Sequence, residues 1–285
     1  MEFRQQTVQC IGPSGLHRMA YTEWGARDNP RVLVCVHGLT RNGRDFDVLA
    51  ASLAAHYRIV CPDVVGRGQS GYLRDPAGYA IPQYVADMVT LIARLNVDSV
   101  HWLGTSMGGL IGMALAAQES SPIRRLVLND VGPLITAESL RRIAEYVGTD
   151  PQWPSFDAAL AYVKLISAPF GELTEAQWRH LTETSVVQRP DGRWAFRYDP
   201  RIAEPFKAAF AGGADIDLWP LYRQVGCPML VIRGAESDLL TRETWQQMAS
   251  HGQPVKLAEI EKVGHAPMFR SDEQIAIVRD FLLSA

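Results

Sequence analysis

Residues 101–113 read "HWLGTSMGGLIGM". A strand-like apolar run leads in and a helix-like apolar run leads out. Between them Thr105 and Ser106 stand among glycines. A chain that turns this sharply from strand to helix holds its central residue in a strained backbone conformation. Neighbouring side chains would collide there, so Gly104 and Gly108 supply the clearance. Such a turn presents the Ser106 hydroxyl at the carboxyl edge of a sheet. It also sets the Met107 amide at a helix N-terminus, where negative charge is stabilised. With a strand on one side and a helix on the other, an exposed serine nucleophile is favoured over a small-residue turn built for tight packing.

Working outward, short β-branched runs recur: "RVLVCV" from Arg31, "YRIVC" from Tyr57, "SVHWL" from Ser99, "RRLVLN" from Arg124, "PMLVI" from Pro228 and "VKLAEI" from Val255. Helix-period segments separate most of them. Residues 82–95 place Val85, Met88, Val89 and Ile92 on one face behind a proline. Residues 271–283 open with Ser271 and Gln274 as a capping box and repeat Ile275, Val278 and Leu282 at helical spacing. This alternation predicts an α/β fold with a mostly parallel sheet covered on both faces. Two earlier strands, near 7–11 and 17–24 and joined at "GPSG", predict an edge hairpin. The rhythm breaks between Leu134 and about Gly213, where short helices rich in Trp, Phe and Arg are interrupted by prolines and by "RPDGR". The expected organisation is a core of residues 1–133 and 214–285 carrying a helical insertion, 134–213.

The 285 residues are 47% hydrophobic and 21% charged, enough to bury a sizeable core. A net charge of -3 gives no basic footprint, so nucleic acid is not an expected partner. The first twenty residues lack an apolar signal-peptide core, and no apolar stretch is long enough to cross a bilayer. A cytoplasmic protein with no membrane partner is expected. Cys10, Cys35, Cys61 and Cys227 are far apart and read as buried small hydrophobes in a reducing compartment. No Cys-x-x-Cys pair suggests a metal, and no cofactor is expected.

A nucleophilic serine needs a base, and the chain offers seven histidines. His101 falls within a strand, His56 ends a helix, His180 lies in the insertion and His251 follows a helix. His265, in "KVGHAPMFR", comes after the last strand, in the loop able to reach the sheet's carboxyl edge. The base needs an orienting carboxylate. Asp238, in "VIRGAESDLL", is favoured because it gives the chain order Ser, Asp, His. Asp130 in "LVLNDVGP", also at a strand's end, is the alternative, and Glu236 is third. The developing oxyanion needs two N–H donors. Met107 provides one, and Leu39 in "VCVHGLTRNG" is expected to provide the other. His37 is read as bracing that loop.

Together these residues resemble the α/β-hydrolase superfamily, in particular its lidded serine esterase and lactonase-like members. The matching stretches are "HGLTRNGRDF", "PDVVGRGQS", "GTSMGG", "RGAESDLL" and "GHAP". The resemblance implies an eight-stranded, mostly parallel sheet flanked by helices, with a helical cap inserted after the sixth strand. It also implies a cofactor-independent hydrolase that cleaves a small to medium carboxylic ester or lactone through an acyl-enzyme. Serine at the nucleophile position departs from the dehalogenases and epoxide hydrolases of this fold, which use aspartate. Carbon–carbon hydrolysis of meta-cleavage products, cofactor-free haloperoxidase or perhydrolase chemistry, and a ligand-binding member of the fold stay open as alternatives. Fold alone does not decide among them.

For the substrate, Trp153, Phe170 and Trp178 of the insertion are candidates to line an apolar pocket, against the alternative that they pack the insertion onto the core. Arg41 is the arginine best placed to meet a substrate carboxylate. The sequence leaves monomer or homo-oligomer undetermined.

Overall fold

The computed structural model describes residues 2–209, 212–250 and 254–284. His251 and, in the insertion, Phe210 lie outside them.

The chain opens with a hairpin, β1 (Arg4–Gly12) and β2 (Gly15–Trp24), longer than its sequence signal. It continues through β3 (Val32–Val36), α1 (Asp47–Leu53), β4 (Arg58–Pro62), α2 (Ile81–Leu95), β5 (Val100–Thr105), α3 (Met107–Ala116) and β6 (Ile123–Asn129). An excursion follows: β7 (Leu134–Ile135), α4 (Ala137–Tyr146), β8 (Gln152–Trp153), α5 (Phe156–Ile166), α6 (Glu175–Ser185), β9 (Val186–Gln188), β10 (Trp194–Phe196), α7 (Ala203–Ala209) and β11 (Ile216–Asp217). The chain returns through α8 (Trp219–Tyr222), β12 (Met229–Gly234), α9 (Arg242–Met248), β13 (Val255–Ile260) and α10 (Asp272–Leu283).

The eight strands outside the excursion form one sheet in the order β1-β2-β4-β3-β5-β6-β12-β13. The hairpin and the β2–β4 pair are antiparallel, and every other pair is parallel. All five residues of β3, "VLVCV", are buried, as a central parallel strand covered on both faces requires. Alternate side chains feed two cores. Val34, Val60, Trp102, Leu126 and Val231 pack with α2, α3, α8 and α9. Leu33, Ile59, Leu103, Val127 and Ile232 pack with α1 and α10 on the opposite face.

The excursion is more than helices. β8, β10 and β9 make a small three-stranded sheet that the sequence reading did not anticipate. Its strands span only two or three residues, too short to show a period of two. β7 and β11 pair antiparallel at the excursion's two ends. At α10, Ser271 accepts from the Gln274 amide, but Gln274 Oε1 accepts from the Phe269 amide, so only half of the expected capping box forms. The complete box is at α6, between Thr174 and Gln177.

Candidate active site

Ser106 lies between β5 and α3 with φ 52° and ψ −115°, a conformation L-residues rarely adopt. The flanking glycines are forced by close approach. A Cβ on Gly104 would meet Gly108 O at 2.1 Å, and one on Gly108 would meet Val36 O at 2.0 Å. The Ser106 amide donates to Asn129 O at 3.0 Å, and Ser106 O accepts from the amides of Gly109 and Leu110. The hinge is thus fixed from β6 on one side and from the first turn of α3 on the other. Met107 is the first residue of α3, so its amide has no intrahelical acceptor.

His265 sits in the loop between β13 and α10, and its Nδ1 is 2.7 Å from Asp130 Oδ2. Here the structure corrects the expected pairing with Asp238. Asp130, at the end of β6, is fully buried, and three donors converge on it: the Gly234 amide at 2.8 Å, Ser237 Oγ at 2.6 Å and His265. Asp238 is far more exposed and pairs with Arg142 of α4, whose Nη2 donates to Oδ1 at 2.8 Å. The stretch "RGAESDLL" still reaches the site, but through Gly234 and Ser237, which donate to the acid. Because a carboxylate only accepts, Nδ1 of His265 carries the proton and Nε2 is left basic. Asn129 ties the two loops together, donating to Thr105 Oγ1 and to Pro267 O, each at 2.9 Å.

The loop after β3 comes close to the serine. A Cβ built on Gly38 would lie 3.8 Å from Ser106 Cβ and 3.7 Å from Arg41 Cγ. His37 is fully buried behind it. Its Nε2 accepts from the Val64 amide at 2.9 Å, so Nδ1 is the protonated nitrogen and donates to Gly38 O at 2.7 Å. Burial pushes its pKa down to about 3, so it braces the loop as a neutral ring. Asp63 accepts from the Gly43 and Gln69 amides, and burial raises its pKa to about 6. Arg41 makes a two-pronged ion pair with Asp45 at 2.6 and 2.9 Å, and its guanidinium lies 5.9 Å from the centre of the Phe170 ring.

Sequence reading missed Arg67. This arginine is fully buried, and its Nε donates to Leu39 O at 2.8 Å. Nη1 donates to Val65 O and Tyr84 Oη, and Nη2 reaches Met107 Sδ at 3.7 Å. One guanidinium therefore joins the Gly38 loop to the residue after the serine. Its signal was present in "VVGRGQS": an arginine between two glycines next to a buried strand.

Of the candidate aromatics, Trp178 is buried with Val163, Leu181 and Met268 of the His265 loop, and Phe170 packs partly against the same cluster. Trp153 is buried in a separate cluster with Val186 and Phe196. Among the described residues, Cys10, His17 and Asp87 form a group with metal-ligand chemistry. Cys10 and His17 are cross-strand partners in the hairpin. His17 Nε2 is 2.9 Å from Asp87 Oδ2, and burial pushes the Cys10 thiol up to about 12. A protonated thiol beside a satisfied carboxylate fits a tie between hairpin and α2 better than a metal centre.

A family model described as "Alpha/beta hydrolase family" matches residues 33–277. The chain is 53% identical to a 3-hydroxybutyrate-oligomer hydrolase of Cupriavidus necator over 285 residues, 98% of this chain and 97% of that one. It is 26% identical to a pimeloyl-[acyl-carrier protein] methyl ester esterase of Aeromonas salmonicida, over 88% of this chain and 94% of the other. The crystal structure of an alpha/beta hydrolase from Novosphingobium aromaticivorans superposes with a TM-score of 0.86 at 36% identity, over 99% of this chain and 98% of that one.

Proposed function

Because the chain belongs to the alpha/beta hydrolase family, we propose that it is a serine ester hydrolase acting on short linear oligomers of 3-hydroxybutyrate. The observation that carries the mechanism is the 2.7 Å bond from His265 Nδ1 to buried Asp130, which leaves Nε2 as the base for a serine held at a strained hinge. The 53% identical relative, matched over nearly its whole length, supports the substrate class.

In this reading Ser106 Oγ attacks the ester carbonyl while His265 Nε2 takes its proton. Asp130 holds the imidazole in the correct tautomer and stabilises its charge. The Leu39 and Met107 amides receive the oxyanion, and a donor of this kind contributes about 3 kcal/mol in the transition state. The protonated His265 gives its proton to the leaving alcohol, the hydroxyl end of the departing unit. It then deprotonates the water that releases the acyl-enzyme as a free acid. Arg67 keeps the two amide-bearing segments in register. Residues 134–213 act as the cap over this site. Arg41 Nη1, the donor its pair with Asp45 leaves over, meets the oligomer's free carboxylate, with Phe170 beside its apolar chain.

Ser106→Ala is expected to lower kcat on 3-hydroxybutyrate dimer and trimer by on the order of a millionfold, because the three residues act as a unit. Release of monomer, followed by chromatography, measures it. Hydrolysis at the wild-type rate in that variant would exclude the mechanism. Failure of the wild type on these oligomers, with aryl esters still cleaved, would exclude the substrate alone.

A further inference from the structure

The cavity of about 840 Å³ between α1, the N-terminal strands and α6 is not the catalytic pocket: neither Ser106 nor His265 lines it. Its lining includes Phe3, Trp24, Val48 and Ala51 beside the polar groups Arg44 and Arg270. Two of these residues present donors without acceptors. Arg270 is nine-tenths buried, yet its Nε and Nη2 have no hydrogen-bond partner. Trp24 is 5% exposed, and its indole Nε1 has none either. Both side chains only donate, so what they lack is an acceptor. A buried donor left unsatisfied is costly, and more so when it is charged.

The surrounding charges do not fill the need. Asp45 is engaged by Arg41, and Asp47 by Arg44, with His180 Nε2 also 3.0 Å away. Three guanidiniums thus face two carboxylates, and the surplus charge is on Arg270. Glu2, the remaining acid of the lining, is exposed and forms no ion pair with Arg270 among the described residues. Burial holds the Arg270 pKa below its ordinary value, although the charges of Asp45 and Asp47 pull it up.

We propose that this cavity is a second, non-catalytic binding site for a carboxylate bearing a short apolar chain, with Arg270 as its charged anchor and the Trp24 indole as a further donor. The apolar chain lies against Phe3, Val48 and Ala51, and the headgroup takes the unpaired N–H groups. Both donors are covered in this conformation, so binding goes with a side-chain rotation. The site joins the core to α6, and Gln177 of α6 already donates to Arg270 O at 3.3 Å. An occupant therefore braces the excursion against the core. The inference does not rest on the proposed reaction.

Octanoate is the probe, titrated calorimetrically into the full chain, with 1-octanol as the uncharged control and Ser106 covalently blocked in a parallel arm. Saturable octanoate binding is expected, at least about tenfold tighter than octanol, since a charge-assisted hydrogen bond is stronger than a neutral one. Arg270→Gln is expected to weaken octanoate by about tenfold or more, and Trp24→Phe by a few-fold, while the Ser106 block leaves it unchanged. Without ligand, Arg270→Gln is expected to raise Tm, since it removes an unpaired buried charge. Equal affinity for octanoate and octanol, equal affinity in Arg270→Gln, or loss of binding on blocking Ser106 would each overturn the proposal. Should Arg270→Gln fail to fold, Arg270→Lys together with Trp24→Phe decides it, since unchanged affinity in both has the same consequence.

Discussion

Asp130 and Asp238 both follow strands of the same sheet, one residue beyond β6 and four beyond β12, and they have opposite fates. Asp130 is fully buried and gathers an amide, a hydroxyl and an imidazole. Asp238 stands with over half of its side chain exposed and holds Arg142 in a pair that solvent screens. A carboxylate orients a histidine only if it reaches the ring, and of the two Asp130 is the one that bonds to His265. The chain order Ser, Asp, His is met by Asp130 as well as by Asp238, so order alone does not choose between them, and it says nothing about donors. The donors "GAES" supplies go to Asp130.

The contrast is broken or sharpened by substitution. Asp130→Asn is expected to cut kcat by on the order of ten thousandfold, because the amide favours the wrong imidazole tautomer. Ester hydrolysis within tenfold of wild type would return the role to Asp238. Burial also decides sign in pH dependence. His37, whose pKa drops from its ordinary 6.5 to about 3, stabilises the fold above pH 6.5. That contribution is lost as pH falls toward 3. Asp63, raised from 3.8 to about 6, acts the other way: its contribution is full below 3.8 and is lost as pH rises to 6. Between about pH 4 and 6 the two oppose each other, each at about 1.4 kcal/mol per pH unit. His37→Gln should therefore make urea unfolding less acid-sensitive than wild type by that slope. Parallel profiles would show that His37 does not set it. Ser237→Ala, which removes the 2.6 Å donor to Asp130, is expected to lower kcat about tenfold, with KM little changed. Asp238→Asn is expected to change kcat less than about twofold, as for an exposed ion pair, and a larger loss would restore the sequence-based assignment.

Legibility in the sequence follows the range of the forces involved. The turn at Ser106 is local: strand, glycines and helix lie within thirteen consecutive residues, so its geometry could be read directly. The place of His265 in the loop after the last strand could be read as well. The sheet could be read too, since buried parallel strands such as "VLVCV" are unbroken apolar runs. The carboxylate partner of His265 could not, because its environment is assembled from residues 130, 234, 237 and 265, which meet only in space. Arg67 escaped for the same reason, as its partners Leu39, Tyr84 and Met107 come from three other segments. In the excursion the helices were legible, but strands of two or three residues carry no period.

The excursion leaves and rejoins the core at one place. Leu134 and Ile135 pair with Asp217 and Ile216, and the Leu218 amide donates to Pro133 O at 2.6 Å. This zipped neck brings the two crossing strands of chain side by side, so a graft made there needs only a short splice and leaves the eight-stranded sheet uncut. Swapping the segment there would replace the excursion in one step while the eight-stranded sheet and the turn at Ser106 keep their sequence.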